Sequence, residues 1–86
     1  IMERYPQVMI NVKISPKWKE KWKNDDVIEE MISANQKILG TTGRILVRES
    51  GTEPLIRVMI EGKRFDLIND MAVKIADTIK ERCPLE

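Results

Sequence analysis

Eighty-six residues suffice for one small domain, and a chain of this size buries only roughly 60–65% of its unfolded surface. An apolar fraction of 42% and a charged fraction of 34% fit a globular rather than a disordered chain. Fifteen basic against fourteen acidic residues leave a net charge of +1 with no histidine, which argues against a general binder of nucleic acid or anionic membrane. A small, local anion site remains compatible with that balance. The lone cysteine, Cys83, excludes an internal disulfide and, without histidine, a zinc site of usual composition. No metal ligands are expected, and a reducing, cytoplasmic setting is. No apolar run reaches the ~20 residues of a membrane span, and the first residues lack the order of a signal peptide. Ile1 stands where an initiating methionine would, so the chain is expected to be a piece of a longer protein or a processed product.

Val8, Ile10, Val12 and Ile14 alternate with Met9, Asn11 and Lys13, the period-2 pattern of a strand with one buried face. Pro16 stops it. Lys17 to Asn24 is charged, carries Trp18 and Trp22, and reads as a connection with room for one helical turn. Asn24, Asp25 and Asp26 supply oxygens and charge suited to a helix amino-terminus. A helix is expected from there to Gly40, with Val27, Met31, Ala34 and Ile38 along its buried stripe and Ile28 and Ile32 widening it. After a turn at Thr41-Thr42-Gly43, a second strand runs from Arg44 to Glu49. Its Ile45 and Val47 share one face, and Arg44, Leu46 and Arg48 the other. Ser50 to Pro54 is a loop by composition, and Leu55 to Glu61 a third strand closed by Gly62. The last segment, about Arg64 to Arg82, places Phe65, Ile68, Ala72, Ile75, Ala76 and Ile79 on one helix face, and Pro84 bars its continuation. The order is strand, helix, strand, strand, helix. It predicts an α+β domain with a mainly antiparallel sheet and both helices on one face.

The segment that carries chemistry is Arg48-Glu49-Ser50-Gly51-Thr52-Glu53-Pro54-Leu55-Ile56-Arg57. A tight loop with two hydroxyls, several amides and a glycine, flanked by arginines, is a donor set suited to phosphate. Gly51 has two possible reasons to be there: a positive φ, or a ligand too close to its backbone for a Cβ. Register decides whether the arginines cooperate. If Ser50 opposes Leu55, Arg48 opposes Arg57, and two like charges so placed call for a bound anion; a slip by one residue sends them to opposite faces. The blander reading is an ordinary hairpin loop between strands with solvated arginines.

The string from Arg48 to Gly62 closely resembles the signature near the carboxy-terminus of the phosphohexomutases. Within that family, Leu55-Ile56-Arg57-Val58-Met59 and the Glu61-Gly62 that follow are most similar to the phosphoglucosamine mutases. Tyr5-Pro6-Gln7-Val8 with Asn11-Val12 resembles the opening of the same enzymes' last domain, and the likeness runs from about Arg4 to Glu81. The resemblance implies a TBP-like carboxy-terminal domain whose Arg48, Ser50, Gly51, Thr52 and Arg57 bind the substrate's phosphate. A carboxylate repels phosphate, so Glu53 is expected to organise the loop rather than touch the ligand. The resemblance also implies a parent that interconverts glucosamine 6-phosphate and glucosamine 1-phosphate through a phosphoserine enzyme and a bisphosphate intermediate. The implied partners are the sugar phosphate and the enzyme's other domains. The phosphoserine loop, the magnesium loop and the sugar-reading loop would all lie in those domains. These 86 residues would then hold no catalytic residue and bind no Mg2+ themselves.

A phosphomannomutase or phosphoglucomutase parent is the near alternative. A small ferredoxin-like regulatory module without catalytic role is the alternative from a different class, and the arginine-flanked loop is what such a module has no reason to carry. Trp18 and Trp22 among Lys17, Lys19, Lys21 and Lys23 could also form an aromatic-basic platform for single-stranded nucleic acid. The competing account has the tryptophans covering an edge of the thin core.

Overall fold

The computed structural model describes residues 5–51 and 53–85. The elements follow as β1 (Gln7–Lys13), α1 (Asp26–Leu39), β2 (Gly43–Glu49), β3 (Leu55–Gly62) and α2 (Phe65–Arg82). The connection after β1 contains two 3-10 turns, Pro16–Trp18 and Trp22–Asn24. The α+β class and the element order are as the sequence predicts.

The sheet has the order β1-β3-β2 and is antiparallel throughout. Val8, Ile10 and Val12 oppose Ile60, Val58 and Ile56, and Ile45 and Val47 oppose Ile60 and Val58. One sheet face is therefore continuously apolar, and both helices lie on it: α2 against β1 and β3, α1 against β2 and α2. Ile56, Val58, Ile60, Ile68, Ile75 and Ile79 are fully buried between sheet and helices. Each such side chain contributes about 1.5–3 kcal/mol of transfer free energy. Gly62 lets α2 approach the end of β3, because a Cβ there would stand 2.8 Å from Ile68 Cγ2.

Asp25 caps α1, accepting from the Val27 amide at 2.9 Å and the Ile28 amide at 3.3 Å. At the other end Gly40 takes φ 59°, where its missing Cβ removes the strain. Gln36 then covers the outer edge of β2. Its Nε2 donates to the Gly43 carbonyl at 3.2 Å and its Oε1 accepts from the Ile45 amide at 3.0 Å, blunting an edge that would otherwise invite strand pairing.

The buried stripe of α1 differs from the expected one. Val27 and Ile38 are 42% and 65% exposed and Ala34 is exposed; the stripe runs instead through Ile28, Asn35 and Leu39, flanked by Met31 and Ile32. Asn35 is tolerated there because its amide donates to the Met31 carbonyl at 2.7 Å. Phe65, expected on the buried face of α2, is 56% exposed at the helix start, while Met71 joins the buried set. Among the described residues no helix is long and apolar enough to cross a membrane.

Candidate anion-binding site

Alternation leaves the second sheet face without a helix, and register lays its side chains out in rows. In one row Gln7, Glu61 and Arg44 stand side by side, and Glu61 neutralises Arg44 at 2.8 Å. The next row is apolar, with Met9, Met59 and Leu46. The third is Asn11, Arg57 and Arg48. Of the two registers open to the sequence, the structure has the one that opposes the arginines. The hairpin closes through the Ser50 amide, which donates to the Leu55 carbonyl at 2.9 Å.

The arginine row differs from the Arg44 row in its charge balance. Among the described residues no ion pair engages Arg48 or Arg57. Arg57 donates from Nε to Asn11 Oδ1 at 3.2 Å, which fixes the plane of its guanidinium and leaves both Nη groups outside that bond. Two opposed cations with no internal counter-charge repel, and a dianion between them removes that repulsion.

The loop adjoins this row. An open pocket of ≈ 420 Å³ is lined by Arg48, Ser50, Gly51 and Arg57, with Glu49 at its border and Met9, Leu46 and Met59 as its apolar floor. Four of the five residues singled out from the sequence thus meet around one cavity. The fifth, Thr52, lies outside the described residues. Ser50 Oγ accepts from the Glu53 amide at 3.3 Å and the Glu53 carbonyl accepts from the Leu55 amide at 2.8 Å. From the far side, the Ile14 amide donates to the Pro54 carbonyl at 2.9 Å, tying the end of the loop to the continuation of β1. Gly51 has no positive φ, and a Cβ added to it would meet nothing within 4 Å. A positive φ is therefore not what places a glycine here.

The connection before α1 also reaches the loop. Trp22 is 5% exposed and donates from Nε1 to Glu49 Oε1 at 3.1 Å, while Lys23 Nζ stands 3.6 Å from the same oxygen. The Glu49 carboxylate is thereby engaged by partners other than the two arginines. Lys19 Nζ donates to the Gly51 carbonyl at 3.4 Å. Trp18 is partly buried and packs on the core, with its Nε1 buried and unpaired. A Trp22 ring committed to the core is not offered to stacked bases. Sequence reasoning missed Asn11, Lys19, Trp22 and Glu49 as parts of this site. Asn11 carried the one local signal, a polar residue on the outward phase of a strand.

A protein-family model described as the phosphoglucomutase/phosphomannomutase C-terminal domain matches residues 9–78. Among curated proteins, the chain is 42% identical over 85 residues to the phosphoglucosamine mutase of Finegoldia magna, covering 99% of this chain and 19% of that protein. It is 46% identical over 82 residues to the phosphoglucosamine mutase of Acetivibrio thermocellus, covering 95% of this chain and 18% of that one. The chain therefore spans less than a fifth of the length of these relatives. Among solved structures, an Aspergillus fumigatus N-acetylphosphoglucosamine mutase in complex with a glucose bisphosphate superposes with a TM-score of 0.75 at 20% identity, over 92% of this chain and 16% of that one. The same enzyme in complex with GlcNAc-6P and magnesium gives a TM-score of 0.71 at 20% identity, over 90% and 16%; at that identity the likeness shows the fold alone. With the family model covering most of its length, the chain belongs to the phosphoglucomutase/phosphomannomutase C-terminal domain family.

Proposed function

We propose that this chain is the carboxy-terminal, substrate-phosphate-binding domain of a phosphoglucosamine mutase. The observation that carries the reading is the opposed Arg48–Arg57 pair, which has no ion-pair partner among the described residues and borders the Ser50-Gly51 loop. The names of its relatives support glucosamine over mannose or glucose as the sugar.

In this reading Arg48 and Arg57 supply charge and fork geometry to the phosphate that is not being transferred. Ser50, Gly51 and Thr52 supply the remaining donors. Binding energy gathered there orients the far hydroxyl of glucosamine 6-phosphate toward a phosphoserine elsewhere in the enzyme. It also draws this domain over the cleft and excludes water from the phosphoenzyme. The reading places magnesium in the parent's remaining domains, as the family resemblance implies. The chain alone then binds but does not turn over, in a cytoplasmic enzyme.

Titrating the isotope-labelled chain with inorganic phosphate, glucosamine 6-phosphate and glucosamine tests this. Both phosphates should move the Ser50 and Gly51 amides with roughly millimolar affinity, near −4 kcal/mol, and glucosamine should move neither. Shifts confined to Lys17–Lys23, or none at all, would overturn the reading.

A further inference from the structure

The basic, tryptophan-bearing connection between β1 and α1 has no part in the phosphate reading, yet it touches the loop from its own side. We infer that Lys19 is a positioning residue of the anion loop, held in place by the Trp22–Glu49 anchor; the inference rests on the phosphate reading of the pocket.

Five contacts carry it. The Trp22 ring is in the core, and its Nε1 bond to Glu49 at 3.1 Å fixes the connection to the last residue of β2. Lys23 adds its charge to the same carboxylate at 3.6 Å. From that anchor the chain runs back through a wound segment, with Lys21 N donating to the Trp18 carbonyl at 3.0 Å and Lys19 N to that of Pro16 at 3.1 Å. This holds the Lys19 ammonium 3.4 Å from the Gly51 carbonyl oxygen.

That carbonyl is the wrong pole of a dipole for an anion site, because its oxygen repels a phosphate oxygen. An ammonium placed on it cancels the repulsion and fixes the orientation of that carbonyl. It also adds a third positive charge beside Arg48 and Arg57 without touching the ligand. Lys19 is partly buried, whereas Lys21 is exposed, so the two lysines of one short segment separate a local from a general charge effect.

The test uses Lys19→Met, Lys19→Arg and Lys21→Met in the 86-residue chain. In the absence of phosphate, Lys19→Met should already shift the Ser50 and Gly51 amide resonances, and Lys21→Met should not. In phosphate titrations Lys19→Met should weaken binding about 3- to 10-fold with an unchanged melting temperature. Lys19→Arg should stay within about twofold of the parent, since it keeps a charged donor. Equal affinity in Lys19→Met and Lys21→Met overturns the inference while leaving the phosphate reading intact. Loss of phosphate response in the unsubstituted chain overturns the phosphate reading, and the inference falls with it. Unmoved loop resonances in the phosphate-free Lys19→Met chain overturn the positioning role whatever phosphate does.

Discussion

Arg48→Gln should strengthen the fold and weaken the site at once. Arg48 and Arg57 are directly opposed across β2 and β3, so their Cβ atoms stand about 4.5–5.5 Å apart. With the guanidinium groups splayed to about 6 Å, their repulsion in water is about 0.7 kcal/mol. Salt at physiological ionic strength, with a screening length of about 8 Å, reduces this to about 0.3 kcal/mol. Glutamine keeps most of the aliphatic stem and removes the charge. In low-salt, phosphate-free buffer the variant should therefore melt about 3–5 °C higher than the parent, narrowing to about 1–2 °C as sodium chloride is added to physiological ionic strength. Phosphate reverses the order. At about twenty times a millimolar Kd it stabilises the parent by about 1.8 kcal/mol. Losing one charged hydrogen-bonding partner costs about 1.5–3 kcal/mol of binding, a ten- to hundredfold loss, which leaves the variant only about 0.1–0.6 kcal/mol of such gain. Thermal melts at two salt concentrations, with and without phosphate, measure all of this. A variant less stable than the parent without phosphate, or melting curves that never cross, would refute the counter-ion argument.

Asn11→Asp should place a carboxylate on Arg57 in the geometry that the amide now occupies. It should raise stability by about 0.2–1 kcal/mol and lower phosphate affinity by competition, measured by melting and by titration. Gly51→Ala should leave the melting temperature unchanged or slightly higher, since no positive φ and no neighbour within 4 Å opposes the methyl. Its phosphate affinity should still fall, because the methyl enters the space the ligand needs, and titration beside a melt separates the two effects. Burial pushes the Asp25 carboxyl up, but the Arg82 hydrogen bond, the Ile28 and Val27 amides and the Arg82 charge outweigh it and hold it below its ordinary 3.8. A carboxyl depressed on folding stabilises above its ordinary value and loses that stabilisation as pH falls through the folded one. Denaturation followed below pH 3.8 should show the parent losing stability faster than Asp25→Asn, which keeps a capping oxygen but cannot titrate.

Local patterns foretold the strands, the hairpin and the loop, because alternation and turn chemistry act between near neighbours. The register of the two arginines was left open there, and burial settles it in the fold. With Ile56, Val58 and Ile60 facing the helices and Ile45 and Val47 joining them, only one phase sends Arg48 and Arg57 outward together. The stripe of α1 was harder, since two adjacent stripes are nearly equally apolar and the buried one is interrupted by Asn35, whose amide is satisfied by its own helix. The supports of the site were illegible for a different reason. Asn11 meets Arg57, Trp22 meets Glu49 and Lys19 meets Gly51 across long stretches of chain, and no periodicity relates such pairs. Glu49 shows why an acidic residue can sit beside a cationic pocket: its carboxylate is engaged by Trp22 and Lys23.

The central place of β3 has a consequence for how the site comes into being. Its pairing with β2 closes over a few residues, so the arginine pair and the loop between them can assemble early and locally. Its pairing with β1 joins opposite ends of the chain and carries the larger closure entropy. Asn11 and the Ile14–Pro54 tie arrive only with that second event. Any excursion in which β1 peels away while the hairpin persists keeps both cations but sets one guanidinium spinning and unlatches the loop. The free energy of that partial opening, rather than of global unfolding, then governs how much of the population is competent to hold an anion.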